Sequence, residues 1–260
     1  TELAIFASNE QLIGERIFAR YGLRLSNWND LGPASVYFFD ANHNVIDTIA
    51  VDKNRVYKSF WNIEPRINLK FTLAENMNLF ANYSRNIQYL QVLSNSTSPF
   101  TSLDVWVPSG PTIKPQMADQ FSLGLTANIF HRRLEFSVES FYKQLYNQLD
   151  YKDHPNLLFN PLLEGELRFG KGCSYGIETM LRKSEGKITG WISYAYTRST
   201  RETTDVNNGD VYPATHDRPH NFSINLSGRA GKHWSFASHW IYLSGAKHWS
   251  FASHWIYLSG

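Results

Sequence analysis

Apolar and polar residues alternate along this chain in runs of up to ten positions. A typical strand in a soluble protein has only five or six residues. The clearest run interleaves two sets, Phe121, Leu123, Leu125, Ala127, Ile129 and Ser122, Gly124, Thr126, Asn128. Because successive side chains of a strand point to opposite faces, this run predicts a long strand with one apolar face and one polar face.

The alternation recurs at 17–25, 65–73, 77–83, 134–143, 175–182 and 222–227, and no helical period competes with it. The polar positions of these runs carry charges of both signs: Arg20, Arg24, Arg66, Lys70, Lys143 and Arg182 with Glu64, Glu135, Glu139 and Glu178. A wall of mixed charge suits a hydrated or plug-filled lumen. The chain is therefore predicted to be all-β, with the apolar sets that begin at Phe121, Leu134 and Phe222 facing lipid.

The links between the runs alternate between short and long. Short links lie at 74–76, 130–133, 184–187 and 229–232, and long links at 29–55, 91–117, 149–166 and 201–219. The link 29–55 is predicted to hold a hairpin of Val36–Asp40 with Val45–Ile49. Transmembrane barrels have short turns on the periplasmic side and long loops outside, so we expect Glu75 and Glu185 inside, and Ser109 and Asn207 outside.

Composition narrows the class of protein further. Aromatic residues make up 15% of the chain and charged residues 18%, where soluble domains carry about 25% charged residues. A net charge of +2 argues against nucleic-acid binding, and the single Cys173 excludes an internal disulfide framework and a cysteine-based zinc site. Strand length, loop pattern and aromatic content together favour an antiparallel transmembrane β-barrel over its alternative, a soluble sandwich.

The end of the chain contains an identical repeat. The fourteen residues Lys232–Gly245 recur without change as Lys247–Gly260. Natural structural repeats diverge and recur in at least about three copies. We therefore interpret 1–245 as barrel and 246–260 as an artefact of duplication, not a native strand. Because no targeting signal follows Thr1, we also expect the chain to be a fragment or a mature piece.

Two motifs suggest chemistry but have simpler interpretations. Gly172-Cys173-Ser174-Tyr175-Gly176 matches the pattern of a hydrolase nucleophile elbow, which requires a strand, a sharp turn and a helix. Here the motif runs directly into an alternating strand, so Ser174 is predicted not to be a nucleophile. The histidine pairs His216/His220 and His233/His239 lack the spacing of a metal site in the expected backbone, and we assign no catalytic residue and no metal ligand.

Several segments, in order over 62–245, resemble the C-terminal part of the barrel of TonB-dependent outer-membrane receptors, particularly those of Bacteroidetes. They are Pro65–Leu69, Leu79–Arg85, Ile113–Gln116 with Gln120 and Leu123-Gly124, Glu139–Lys143, Tyr175–Glu178, Gly186–Tyr194, Asn208-Gly209 with Tyr212-Pro213, Asp217–Asn221 and Trp240–Gly245. The family's plug domain and TonB-contacting box are absent from this sequence, and its closing aromatic strand end is replaced by the repeat. The resemblance implies a partial barrel, about ten to twelve strands of a larger one that has 22 in this family.

The resemblance also implies a function. It predicts an outer-membrane receptor fragment for energy-dependent uptake of a bulky, scarce nutrient of the siderophore, vitamin, glycan or peptide class. Its partners would be membrane lipid, the nutrient and the TonB complex, the last through a plug domain, with no cofactor and no nucleic acid. The candidate ligand-binding residues are Trp106, in the loop segment 103–107, and Tyr212, because aromatic side chains on polar loops suit sugars, chelates and flat ligands. The alternatives are a passive porin-like channel and a barrel-based hydrolase that uses Ser174.

Overall fold

A computed structural model describes the chain except for residues 41–43, 95–103, 131–132, 154, 156–161, 231–232, 245–247 and 258–260. Residues 93–94, 104–105, 163, 230 and 248–257 are described by their backbone alone. In this described part, the helical segments are two short 3-10 turns, Leu163–Glu166 and Asn207–Gly209. No helix in these ranges is long and apolar enough to cross a membrane.

The described residues form sixteen strands. In chain order these are β1 Glu2–Ile13, β2 Ile17–Leu31, β3 Ala34–Phe39, β4 Val45–Val51, β5 Val56–Ala74, β6 Met77–Gln88, β7 Leu90–Ser94, β8 Asp104–Pro108, β9 Gln116–Ile129, β10 Leu134–Tyr151, β11 Leu167–Lys183, β12 Ile188–Thr203, β13 Tyr212–Pro213, β14 His220–Ala230, β15 Trp234–Leu243 and β16 His248–Tyr257. The prediction of an all-β chain is confirmed.

Twelve of these strands pair in a single antiparallel sheet. Its order is β1-β2-β5-β6-β9-β10-β11-β12-β14-β15-β16, and β13 pairs with β12 beside this path. The strands β3 and β4, and also β7 and β8, form separate hairpins within two of the long links. The predicted hairpin within 29–55 is therefore confirmed, as is the range of ten to twelve sheet strands.

The two ends of the sheet differ in their connections. Short turns join β1–β2, β5–β6, β9–β10, β11–β12 and β14–β15 at one end, which we call the turn end. At the other, the loop end, the links are 32–55, 89–115, 152–166 and 204–219. β15 and β16 are also joined at the loop end, by residues 244–247 alone, which departs from the long links that precede it.

The strand register places the predicted apolar sets on one face of the sheet. Leu125 pairs directly with Leu79 on β6 and with Val138 on β10, and this row continues through Thr179, Tyr194 and Phe222. A second row of the same face is mostly aromatic: Tyr21, Ile67, Tyr83, Phe121, Tyr142 and Tyr175. An apolar face edged by aromatic side chains is typical of a transmembrane barrel. We call this surface the apolar face.

The opposite side, the polar face, carries the ten charged residues named from the sequence. Arg24 pairs with Glu64 across β2 and β5, with its Nε atom 3.3 Å from a Glu64 carboxylate oxygen. Arg24 also reaches Glu2 on β1, at 2.7 Å. A concavity of about 590 Å³ opens on this face, and Glu139 and Glu178 are among its lining residues. The polar face is therefore concave, and carboxylates from neighbouring strands lie in the concavity.

Buried side chains gather at the loop end. Ile113, Leu149 and Leu167 form a small apolar core there, and Val107 and Tyr151 pack against it. Apolar residues elsewhere on the sheet are widely exposed, such as Phe121 at 53% and Leu123 at 52%. The fold thus has its protein core beneath the loops and leaves the apolar face to be covered by lipid.

The structure differs from the sequence-based expectation in the extent of the strands and in the position of Ser109. The strand β1 was not predicted, and most strands extend further toward the loop end than the alternation indicates. Ser109, which we expected to be reachable from outside, is fully buried, because the link that contains it folds against β2. The second copy of the repeat pairs with the first as β16. Because the two copies have the same sequence, they have the same propensity to form a strand, and their pairing does not show whether the second copy is native. Our interpretation of 246–260 therefore stays a prediction.

Candidate ligand-binding site at the loop end

A cavity of about 630 Å³ lies at the loop end of the sheet. Ligand pockets in proteins typically measure about 300–1,000 Å³. The ends of β6, β9, β10 and β12, the hairpin β7–β8 and the link 204–219 contribute to its lining. Trp106 and Tyr212, the two residues proposed from the sequence, both line this cavity although they are 106 positions apart in the chain.

Trp106 offers a free aromatic surface. It lies on β8, where it pairs with Val92 of β7, and its side chain is 63% exposed. Of the surrounding loop segment, residue 103 lies outside the described residues, and Asp104 and Val105 are described by their backbone alone. Because most of the side chain is exposed, the ring can pack against a bound molecule.

The hairpin that carries Trp106 is anchored on β2. Tyr89, just before β7, is buried, and its ring stacks on Trp28 with centroids 5.5 Å apart. Its hydroxyl lies 2.8 Å from the Ser26 hydroxyl and accepts a hydrogen bond from Asn62. These contacts attach the start of the hairpin to β2 and β5.

Beyond the hairpin, Trp28 holds the link after β8. Its indole N–H donates to Asp30 Oδ1, at 2.6 Å, and to the carbonyl oxygen of Ser109, at 3.1 Å. Burial raises the pKa of Asp30, while the hydrogen bond from Trp28 acts in the opposite direction. Both ends of the Trp106 hairpin are therefore attached to the same strand of the barrel wall.

Tyr212 differs from Trp106 because its hydroxyl is already engaged. It donates a hydrogen bond to Asp150 Oδ2 at 2.8 Å and lies 3.0 Å from the Thr203 hydroxyl. Burial raises the pKa of Tyr212, and the hydrogen bond to Asp150 acts in the same direction. Tyr212 thus ties the link 204–219 to the end of β10, and its ring, not its hydroxyl, is available to a ligand.

Two ion pairs hold the remainder of this link. The guanidinium of Arg168, on β11, is 2.8 Å from Asp205. Near the other end, Asp217 accepts a hydrogen bond from the backbone N–H of Ser199 at 2.7 Å and pairs with Arg198 at 3.1 Å. The link is attached to the sheet at both ends and at Tyr212, so the cavity wall that it forms is well fixed.

A β-bulge brings polar residues of β10 to the cavity. Leu145 pairs with Gly172 and Gln148 with Gly170, so β10 has one extra residue, and Asn147 there has a positive φ of 54°. The bulge shifts the alternation by one position. Gln148 and Asp150 consequently share the face of Leu145, where a regular strand would have turned them to the opposite side.

Four glutamine side chains from four strands line the cavity. Gln88 and Gln116 pair directly across β6 and β9, Gln91 comes from β7, and Gln148 from β10. Gln91 is 1% exposed, and its side-chain N–H₂ donates to the carbonyl of Lys114 while its Oε1 atom is buried without a partner among the described residues. These glutamines are not recognisable as site residues in the sequence, because isolated polar residues near strand ends form no distinctive pattern.

Of the other residues singled out from the sequence, His216 lies at the cavity and Ser174, His220 and His239 lie elsewhere. Ser174 sits in the middle of β11, paired with Lys143 and Ser199, so the predicted continuous strand is confirmed and the strand–turn–helix of an elbow is not formed there. His216 lines the cavity, whereas His220 begins β14 and its Nδ1 atom is 2.9 Å from the Tyr194 hydroxyl. His239 lies beside Trp191, with ring centroids 6.0 Å apart.

An antiparallel up-and-down sheet with one apolar face, one charged face and a loop-end cavity defines part of a transmembrane β-barrel. The chain belongs to the TonB-dependent receptor-like β-barrel family, whose model matches residues 1–256. The resemblance seen in the sequence is thereby confirmed, and its Bacteroidetes character stays a prediction. The chain is accordingly part of an outer-membrane protein. Members of this family are transporters and receptors, not enzymes.

Solved structures support the same fold. The ferric-catecholate import receptor Fiu of E. coli K12 is similar with a TM-score of 0.61 and 18% identity, over 98% of this chain and 37% of Fiu. The alcaligin receptor FauA of Bordetella pertussis gives 0.60 and 14%, over 96% of this chain and 38% of FauA. The hemophore receptor HasR of Serratia marcescens gives 0.65 and 15%, over 98% and 45%.

The chain therefore spans less than half the length of these receptors. At such identities the likeness shows the fold alone. No curated protein matches the sequence.

Proposed function

We propose that the receptor to which this chain belongs takes up a bulky, scarce nutrient across the outer membrane, with energy supplied by the TonB complex through a plug domain. The observation that carries the proposal is the loop-end cavity above a barrel wall of this family. An exposed Trp106 and the ring of Tyr212 line the cavity, and fixed loops form its walls. Such a site suits capture of a ligand from outside before transport.

The polar face provides the path below the cavity. Its charged residues are of mixed sign, and some already pair across strands, as Arg24 does with Glu64. A wall of this kind holds water or a polar plug without binding one charged solute strongly. We infer that the nutrient is selected at the loop end and that it then passes along the polar face of the barrel wall.

Ligand binding and transport, without catalysis, make up the proposed activity. Ser174 has the geometry of a mid-strand residue on the polar face. A nucleophile elbow would instead hold its serine at a sharp turn that leads into a helix. The hydrolase alternative therefore has no supporting observation.

Uptake by cells tests the proposal. The complete receptor is expressed in cells with and without a functional TonB complex, and accumulation of the nutrients of the growth medium is measured by mass spectrometry. We expect at least one bulky solute to accumulate when receptor and TonB complex are both present. Accumulation that is equal without the TonB complex would support a passive channel, and its absence in all strains would contradict uptake itself.

A further inference from the structure

We infer that the loop-end cavity selects a neutral, hydroxyl-rich ligand, an oligosaccharide, over an anionic metal chelate. The inference rests on the proposed function, because it names the class of nutrient that this site captures. It is carried by the charges, amides and aromatic rings that line the cavity. Together, these groups favour a neutral ligand that has both hydroxyl groups and apolar faces.

Both cationic side chains of the described cavity lining are paired with carboxylates of the protein. Its described lining has two cations, Arg201 and Lys152, and two carboxylates, Asp150 and Asp153. Arg201 lies 3.3 Å from Asp150, and Lys152 lies 3.1 Å from Glu166. The cationic side chains that line the cavity are therefore occupied by carboxylates of the protein itself. An anionic chelate would have to displace these partners, since charged groups that leave water need a partner of opposite charge.

Four of the uncharged polar side chains in the lining are primary amides: Gln88, Gln91, Gln116 and Gln148. Gln116 and Gln148 line the cavity and make no side-chain hydrogen bond with other described residues. An amide offers both donors and acceptors, and a hydroxyl group can satisfy both. Because a buried polar group without a partner is costly, these amides favour a ligand that brings many hydroxyls.

The aromatic rings supply the apolar part of the contact. Trp106 is 63% exposed, and Tyr212 lines the same cavity with its hydroxyl bound to Asp150. A sugar ring has apolar C–H faces as well as hydroxyl edges, so its faces pack on aromatic rings while its edges meet the amides. The cavity volume of about 630 Å³ is enough for a few sugar units.

Binding to the purified complete receptor in nanodiscs tests this inference. The probes are an array of neutral oligosaccharides, including cello-, malto-, xylo- and chito-hexaose, and the ferric complex of 2,3-dihydroxybenzoate. We expect at least one oligosaccharide to bind and the ferric complex to bind at least about tenfold more weakly. Trp106→Ala should weaken oligosaccharide binding about tenfold or more, as truncation of a central Trp contact does.

A matched control separates the cavity from general loss of an exposed tryptophan. Trp61, on β5, is 67% exposed and does not line the cavity. Trp61→Ala should leave the affinity for the oligosaccharide within about twofold of the unmodified receptor. Gln148→Ala should weaken oligosaccharide binding as well, because it removes a free amide from the site.

The outcomes distinguish the two levels of the proposal. Tighter binding of the ferric complex, lost in Trp106→Ala, would overturn the ligand class and leave TonB-dependent uptake intact. If oligosaccharide binding is insensitive to Trp106→Ala, the oligosaccharide does not bind in this cavity and the inference is wrong. The inference is also wrong if neither class of probe binds. Loss of TonB dependence in the uptake assay would instead overturn the proposed function.

Discussion

An arginine in place of Leu125 tests which face of the sheet meets lipid. Leu125 lies four residues from Phe121 in the aromatic row and four residues from Ile129, the last residue of β9. At about 3.3 Å per residue, it is about 13 Å from either position along the strand. With a strand tilt of about 40°, this is about 10 Å along the membrane normal, within an apolar band about 25 Å tall.

This position is close to the membrane midplane, where a charged side chain on the lipid face destabilises a barrel more than at any other depth. Leu125→Arg should lower the free energy of unfolding by about 2–4 kcal/mol, because a guanidinium near the midplane loses its hydration. The neighbouring Thr126 is the matched control. It faces the concavity on the polar face, where it pairs with Asn78 and Ser137 and where Glu139 also lines the space.

In Thr126→Arg the new guanidinium lies on the polar face and stays hydrated. We expect this variant to lower the free energy of unfolding by less than about 1 kcal/mol. Both variants are made in the complete receptor, and unfolding in urea from lipid vesicles is followed by tryptophan fluorescence. Linear extrapolation then gives the two free energies. Equal costs at the two positions, or a larger cost for Thr126→Arg, would refute the orientation assigned to the sheet.

Further predictions concern topology, the loop tether, Ser174 and the repeat. Asp52→Cys and Asn207→Cys should be labelled by a membrane-impermeant maleimide on intact cells, and Glu75→Cys and Glu185→Cys should not; the reverse would invert the topology. Tyr212→Phe should speed amide hydrogen exchange in 204–219 about fivefold, since it removes the hydrogen bond to Asp150 at about 1 kcal/mol; unchanged exchange would contradict the tether. Ser174→Ala should leave uptake intact, and a fluorophosphonate probe should not label the receptor; stoichiometric labelling at Ser174 would favour the hydrolase. The isolated chain should fail to form a heat-modifiable, conducting monomer, because the free edges of β1 and β16 leave backbone groups unpaired in lipid; a conducting monomer would show that 246–260 completes a barrel.

The alternation predicted the part of the sheet that has one apolar and one polar face, because two different environments on the two sides of a strand impose a period of two. It stopped at Leu25 on β2, although the strand continues to Leu31. Beyond Leu25 both faces carry polar residues, such as Asn27 and Asp30, which are buried under the loops. No simple period remains where protein, not lipid, covers both sides of a strand.

The site was only partly predictable for a related reason. The aromatic character of Trp106 and Tyr212 marked them as candidates, and the structure places both at one cavity. Nothing in the sequence distinguished the glutamines of the cavity, or the Asp150–Arg201 ion pair, from other polar residues. Gln148 reaches the cavity side only because of the bulge at Asn147, and a backbone irregularity of one residue leaves no trace in a hydrophobic pattern.

A cryo-electron microscopy structure of the complete receptor, with the compound that cells accumulate bound to it, tests the account most directly. We predict ligand density within van der Waals contact of Trp106 and Tyr212, and a β1 whose outer edge is hydrogen-bonded to a preceding barrel strand. Ligand density at another site with an empty loop-end cavity, or a β1 edge left unpaired in the membrane, would contradict the account.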